Sequence, residues 1–158
     1  MNGSKKATYV SNRFQNEVDD AIWKIIRKKI VDEVAASKYF TDPADETRDA
    51  GKLDQLTICP RYVSRIDSQQ VPQEAFLKFF DIADRTGAGR AKTNLDNLQL
   101  GGLDVRNLRG QGYDGCSAMI GRHKGVQVEV KAVVPQASYL HCASHCLNLA
   151  LVHDKLGG

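Results

Sequence analysis

At 158 residues, 42% of them hydrophobic and 26% charged, the chain is sized for one globular domain and has enough apolar material for a core. Its 22 Lys and Arg against 19 Asp and Glu give a net charge of +3, which excludes the dense basic surface of a strong autonomous nucleic-acid binder and restricts any DNA contact to a local patch. No stretch approaches the roughly 18 consecutive apolar residues of a membrane span, the N-terminus lacks the apolar core of a leader, and Cys59, Cys116, Cys142 and Cys146 are irregularly spaced, so an intracellular protein with reduced thiols and no membrane partner is expected.

Residues 1–15 read as a flexible segment and 16–158 as one domain. From Asn16 to Ala36, Val18, Ile22, Ile25, Ile26, Ile30 and Val34 recur at three and four, with Asp19, Asp20, Lys24, Arg27 and Lys28 filling much of the other face. That spacing predicts an amphipathic helix, whose basic run Arg27–Lys29 reads as a solvated face. After Phe40, TDPADETRDAGK mixes acids with Pro43 and Gly51, the signature of a loop or an irregular strand end. Gln55–Val63 and Gln73–Ile82 carry the β-branched and aromatic residues of two strands. Ser64–Gln70 reads as their polar connection, and Pro60 weakens the first strand.

Thr86–Leu100 predicts a helix with a Thr cap, closed by Gly101-Gly102. A strand over Leu108–Tyr113 runs into Asp114. Met119–Val134 reads as a helix broken by Gly121 and Gly125 and ended by Pro135. A short strand over Ser138–His141 and a helix over Ala143–Leu156 complete the chain. Helix, strands, helix, strand, helix, strand, helix is an α/β order, with a mixed sheet that begins as antiparallel hairpins and ends in crossovers.

Asp45 and Asp114 each follow a predicted strand and sit among turn-forming residues. Carboxylates at neighbouring strand ends are what Mg²⁺ or Mn²⁺ requires, because hard cations take oxygen ligands and a pair of them can activate and stabilise the oxygens of a phosphodiester. The competing reading is two solvated acids or helix caps. The cluster HCASHC sets Cys142, His145 and Cys146 on one helical face. A closed zinc site normally draws on two separated ligand pairs and only one is present, with Cys59, Cys116 or His123 able to join only through folding, so zinc is not expected against the alternative of buried thiols and a hydrogen-bonded histidine. A Cys/His nucleophile pair lacks an orienting group, and the glycines of GQGYDG match neither phosphate-cradling pattern.

Taken in order, ATYVSNRFQNEV, YFTDPADETRDAGKLDQLTICPRYV, LRGQGYDGCSAMIGRHKGVQ and YLHCASHCLNLALV resemble the hAT-like transposase-derived domain of zinc finger MYM-type proteins and of relatives of the 52 kDa repressor of the inhibitor of the protein kinase. The resemblance spans about Ala7 to Leu156. It implies a ribonuclease-H-like fold, here a truncated one with a mixed sheet flanked by helices, in which three acids hold metal for DNA cleavage and strand transfer. Two acids carry over: the first of the family's D-E-T-T-D block falls on Asp45, and that of its Y-D-G-A-S-N-M block on Asp114. The H-C-x-A-H-x-L-N-L block falls on His141, Cys142, His145 and Asn148, and the resemblance sets Cys142 and His145 at a helix start beside the acids.

Three departures shape the expectation. The strand before the first acid reads TDPA, so Pro43 is expected to fray it. Cys116 and Ala118 replace the family's Ala and Asn. The family's third acid lies beyond an inserted helical region, and no counterpart precedes Gly158. The resemblance therefore implies a domesticated, catalytically silent, nuclear fragment with DNA or protein partners or self-association, Mg²⁺ or Mn²⁺ being only weakly held. Activity returns if a downstream acid is supplied, and a protein-interaction or dimerisation module is the alternative.

Overall fold

The computed structural model describes residues 11–48, 53–114 and 117–155. Helix α1 (Asn12–Ser37) starts inside the segment read as a flexible tail, because the Ser11 side chain accepts the Phe14 N–H and caps it. It ends where Lys38 turns to φ 68°. Two short strands follow, β1 (Phe40–Pro43) and β2 (Asp45–Arg48). Then come β3 (Asp54–Ile58), β4 (Arg61–Ile66), β5 (Gln69–Glu74) and β6 (Lys78–Asp81). Helix α2 (Gly87–Leu100) is capped by Thr86 as expected. A single 3-10 turn, Val105–Asn107, leads into β7 (Leu108–Tyr113). Helices α3 (Ser117–Ile120) and α4 (Val126–Val133), strand β8 (Ser138–His141) and helix α5 (Ala143–Lys155) complete the order.

The expected α/β architecture is present as a five-stranded mixed sheet in the order β5-β4-β1-β7-β8, with helices packed on it. The β4–β5 hairpin and the β1–β4 pair are antiparallel, whereas β1–β7 and β7–β8 are parallel. A second sheet, β2-β3-β6, was not anticipated. It arises because the predicted strands break at their punctuating residues. Gln55–Val63 divides at Cys59-Pro60 into β3 of the small sheet and β4 of the large one. Gln73–Ile82 divides likewise into the end of β5 and all of β6. The Ser64–Gln70 connection is in fact a tight hairpin, in which only Asp67 and Ser68 leave the ladder, at φ 49° and 66°. Two consecutive left-handed residues match the right-handed twist of the flanking strands.

Of the two readings of the segment around Pro43, a loop or an irregular strand end, the structure has strand, and the expectation of fraying there is corrected. β4 pairs with β1 only at Phe40 and Thr41, so no ladder on that side asks Pro43 for a donor. On the other side the Ala44 N–H reaches the Gly112 carbonyl at 3.0 Å, and Pro43 stays in register with Gly112. Met119–Val134 divides at Gly121 and Gly125 into α3 and α4, as the glycines implied.

One face of the large sheet carries the core. Asp42 on β1 meets Asn94 of α2, Tyr62 on β4 meets Glu33 of α1, and Gln111 on β7 meets the Gln127 carbonyl of α4. All three helices therefore cover the same side, around buried Phe40, Leu108, Leu98, Val126 and Val130. The small sheet is fastened to α2 by Arg90, whose Nε and Nη2 donate to both oxygens of Glu46 at 2.8 and 3.0 Å. Side-chain exposures of 10% and 22% make this pair far less hydrated than the surface ion pairs of the chain.

Candidate functional site

Parallel strands end together, and the loops that leave them form a crevice outside their carboxyl ends. β1 and β7 are adjacent and parallel, with Pro43 opposite Gly112, and Asp45 and Asp114 each stand two residues beyond that register position. Both line one open cleft of roughly 1200 Å³. Its floor is the uncovered face of the sheet at Thr41, Pro43, Arg61, Gly112 and Leu140, and one wall is the start of α5. The two acids come from different sheets. Asp45 opens β2 and pairs with Thr57 of β3, whereas Asp114 follows the last residue of β7.

The carboxyl ends of β7 and β8 are also where the His/Cys motif falls. His141 closes β8 opposite Tyr113, and the Cys142 N–H donates to the Tyr113 carbonyl at 2.9 Å. Cys142 directly precedes α5 and His145 lies in its first turn. Both line the same cleft as the acids, as does His141. Cys146 turns back so that its sulfur lies 3.2 Å from His141 Nδ1, while the rings of Tyr139, His141 and His145 form a ladder with centroids 6.4 and 5.9 Å apart. Asn148 sits in α5, but its side chain lies outside the described residues, as does Cys116. His123 is exposed in the turn before α4, away from the cleft. Among the described residues no group of three or more His, Cys, Asp or Glu side chains is arranged to hold a metal.

Several groups at the site carry no signal in the local sequence. Cys59, Arg61 and Glu74 come to the cleft from the corner between the sheets and the end of β5. Arg61 holds Glu74 through Nη2 at 2.7 Å. Burial pushes the Cys59 thiol pKa up, and the carboxylates of Glu74, Asp42 and Asp45 push it further. Beneath the sheet, Asp42, Asn94 and Gln111 are each 1% exposed. Asn94 Nδ2 donates to Asp42 Oδ2 at 2.7 Å, yet among the described residues Asp42 Oδ1, Asn94 Oδ1 and Gln111 Oε1 accept no hydrogen bond. Burial lifts the Asp42 carboxyl to about 6, against the opposing pull of Asn94 and the Cys59 backbone N–H. Only tertiary packing reveals this acid, since TDPAD reads locally as a turn.

Two hard carboxylates with open water beside them suit a divalent cation that keeps much of its hydration. The ion would polarise a phosphodiester and lower the pKa of a bound water. This chain's residues would supply its anchoring oxygens from two strand ends, leaving the histidines on the rim. A comparison with protein families bears on that arrangement. The sequence model of the family described as ZMYM1/FAM200, RNase-like domain matches residues 1–125. The match takes in both acids and ends just before α4, so the segment from His141 to His145 lies outside it. Covering most of the chain, and agreeing with a mixed five-stranded sheet flanked by helices, it establishes that the chain belongs to the ZMYM1/FAM200 RNase-like domain family.

Proposed function

We propose that the cleft is a weak divalent-cation site that engages the phosphates of nucleic acid, with Asp45 and Asp114 as its anionic ligands, and that this chain by itself does not cleave DNA. The observation that carries the reading is that the two acids, 69 positions apart in sequence, line one cleft at the ends of parallel strands. Silence follows from ligand number. Two octahedral ions need about twelve oxygen ligands between them, and two carboxylates leave most of those to water. Ions so held do not fix an attacking oxygen in line with its leaving group, and positioning is a large share of what catalysis of phosphoryl chemistry requires.

The test separates binding from chemistry. Mn²⁺ titration followed by electron paramagnetic resonance is expected to give a dissociation constant of roughly 0.1–1 mM or weaker, with further weakening in Asp45→Asn and Asp114→Asn. No Mn²⁺ binding that depends on these acids removes the cation site. Labelled duplex and single-stranded DNA incubated with Mg²⁺ or Mn²⁺ are expected to stay intact. Metal-dependent nicks that vanish in Asp114→Asn overturn the silence.

A further inference from the structure

Among the described residues, helix α1 is anchored from Trp23 onward. Ile30 and Val34 are buried, Glu33 accepts from Tyr62 at 2.6 Å, and Arg27 donates to the Leu100 and Gly101 carbonyls at the end of α2. Four large apolar residues on the same helix remain in solvent: Val18, Ile22, Ile25 and Ile26, at 38%, 49%, 71% and 46% exposure. At 3.6 residues per turn they fall within an arc of about 100°, and its centre is about a third of a turn from the face that carries Ile30 and Val34. The apolar arc thus runs on into the face that carries Ile30 and Val34, and its N-terminal part is open. The open part follows three-four spacing through Val18, Ile22 and Ile25, an apolar surface of the width that one further helix can cover.

The charges along this seam define its occupant. Toward opposite ends of the helix, Asp19 lies just outside the arc beside Ile26, and Lys29 lies within it. Two copies paired parallel would set Asp19 against Asp19 and Lys29 against Lys29. Two copies paired antiparallel, with the two-fold at Lys24, set Ile22 against Ile26 of the second copy and Asp19 against its Lys29, twice over by symmetry. Lys29 is available for this, since its link to Glu33 is long at 3.8 Å and the lysine side chain is 77% exposed.

We infer that a second copy of this chain docks on the open face of α1 as an antiparallel helix pair, sealed by Ile22 and Ile26 and keyed by Asp19 to Lys29. This surface is independent of the acid cleft, so it stands or falls without the cation site.

Sedimentation velocity of the full chain between about 1 and 100 μM tests it. The chain is expected to shift from monomer to dimer across that range. Ile22→Glu is expected to abolish the dimer with the circular dichroism spectrum unchanged, because the residue is outside the core. Asp19→Lys and Lys29→Asp are each expected to weaken it by about tenfold or more, and the two together to restore it. A monomer throughout, as when another part of the chain covers the seam, overturns the inference. So does a dimer indifferent to Ile22→Glu, or a charge swap without rescue.

Discussion

Asp42→Asn is expected to stabilise the protein in alkaline solution and to leave it unchanged in acid. In the folded chain the carboxyl titrates near 6 instead of at 3.8. The native state therefore holds a proton that the unfolded state has released. The stability contributed is complete below the unfolded value and is lost as pH rises through about 6. A little over two pH units at about 1.4 kcal/mol each amounts to ~3 kcal/mol lost by pH 8, in a group only 1% exposed and so little relieved by solvent. The geometry shows why the neutral form fits. A protonated Asp42 Oδ1 can donate to Asn94 Oδ1 while Asn94 Nδ2 donates to Asp42 Oδ2, which satisfies two orphaned oxygens at once. Asparagine at position 42 reproduces that pair with its own amide at every pH. The groups that face the carboxyl are Asn94 from α2, Gln111 and Tyr113 from β7, and the Cys59 amide. Tyr113, held well above its ordinary value chiefly by burial, stays neutral throughout. Urea denaturation of both proteins at pH 4.5 and pH 8 measures the difference. The variant's midpoint is expected to exceed that of the wild type by about 1–2 M at pH 8 and by only about a third of that near pH 4.5. A difference that does not vary with pH, or a variant weaker at pH 8, refutes the reasoning.

Further outcomes follow from other features. Removing either partner of Arg90–Glu46, by Arg90→Met or Glu46→Gln, is expected to cost about 2–3 kcal/mol, with a coupling of about 1–2 kcal/mol in the double-mutant cycle because the survivor is left poorly hydrated. Additive losses in chemical denaturation would falsify the strut. Ser68→Gly is expected to stabilise by about 0.5–1 kcal/mol, the relief of a left-handed backbone less the entropy of glycine. A lowered melting temperature in this variant speaks against the turn geometry. Protein purified without chelator is expected to contain clearly less than one zinc per chain by elemental analysis, since His141, Cys142, His145 and Cys146 offer one ligand-rich segment and not two. Stoichiometric zinc that survives dialysis contradicts this.

The helices and the mixed sheet were legible because their signals are local and redundant. Thr86 caps α2, Gly101 and Gly102 close it, and Gly121 and Gly125 part α3 from α4. The small sheet was not, because Cys59-Pro60 is a corner between two sheets and looks, in one dimension, like a flaw in one strand. Pro43 misled in the opposite direction: its cost depends on whether a neighbouring strand needs its N–H, and that is a property of β4. Asp45 and Asp114 stand out in the sequence because each follows a predicted strand and falls on a motif of the family that the chain resembles. Asp42, Asn94 and Gln111 carry no pattern at all, since each becomes unusual only when a helix is laid over the sheet.

The division of the two cleft acids between two sheets gives their spacing a mechanical meaning. Asp45 rides on the small sheet and Asp114 on the large one, so the gap between the carboxylates is a caliper reading of how the two sheets are set at the corners Ala44 and Cys59-Pro60. The Arg90–Glu46 strut ties the strand that begins at Asp45 to α2. An ion held by both acids would bridge the two sheets, and a change in the strut would be felt at the ion without any side chain of the cleft being altered.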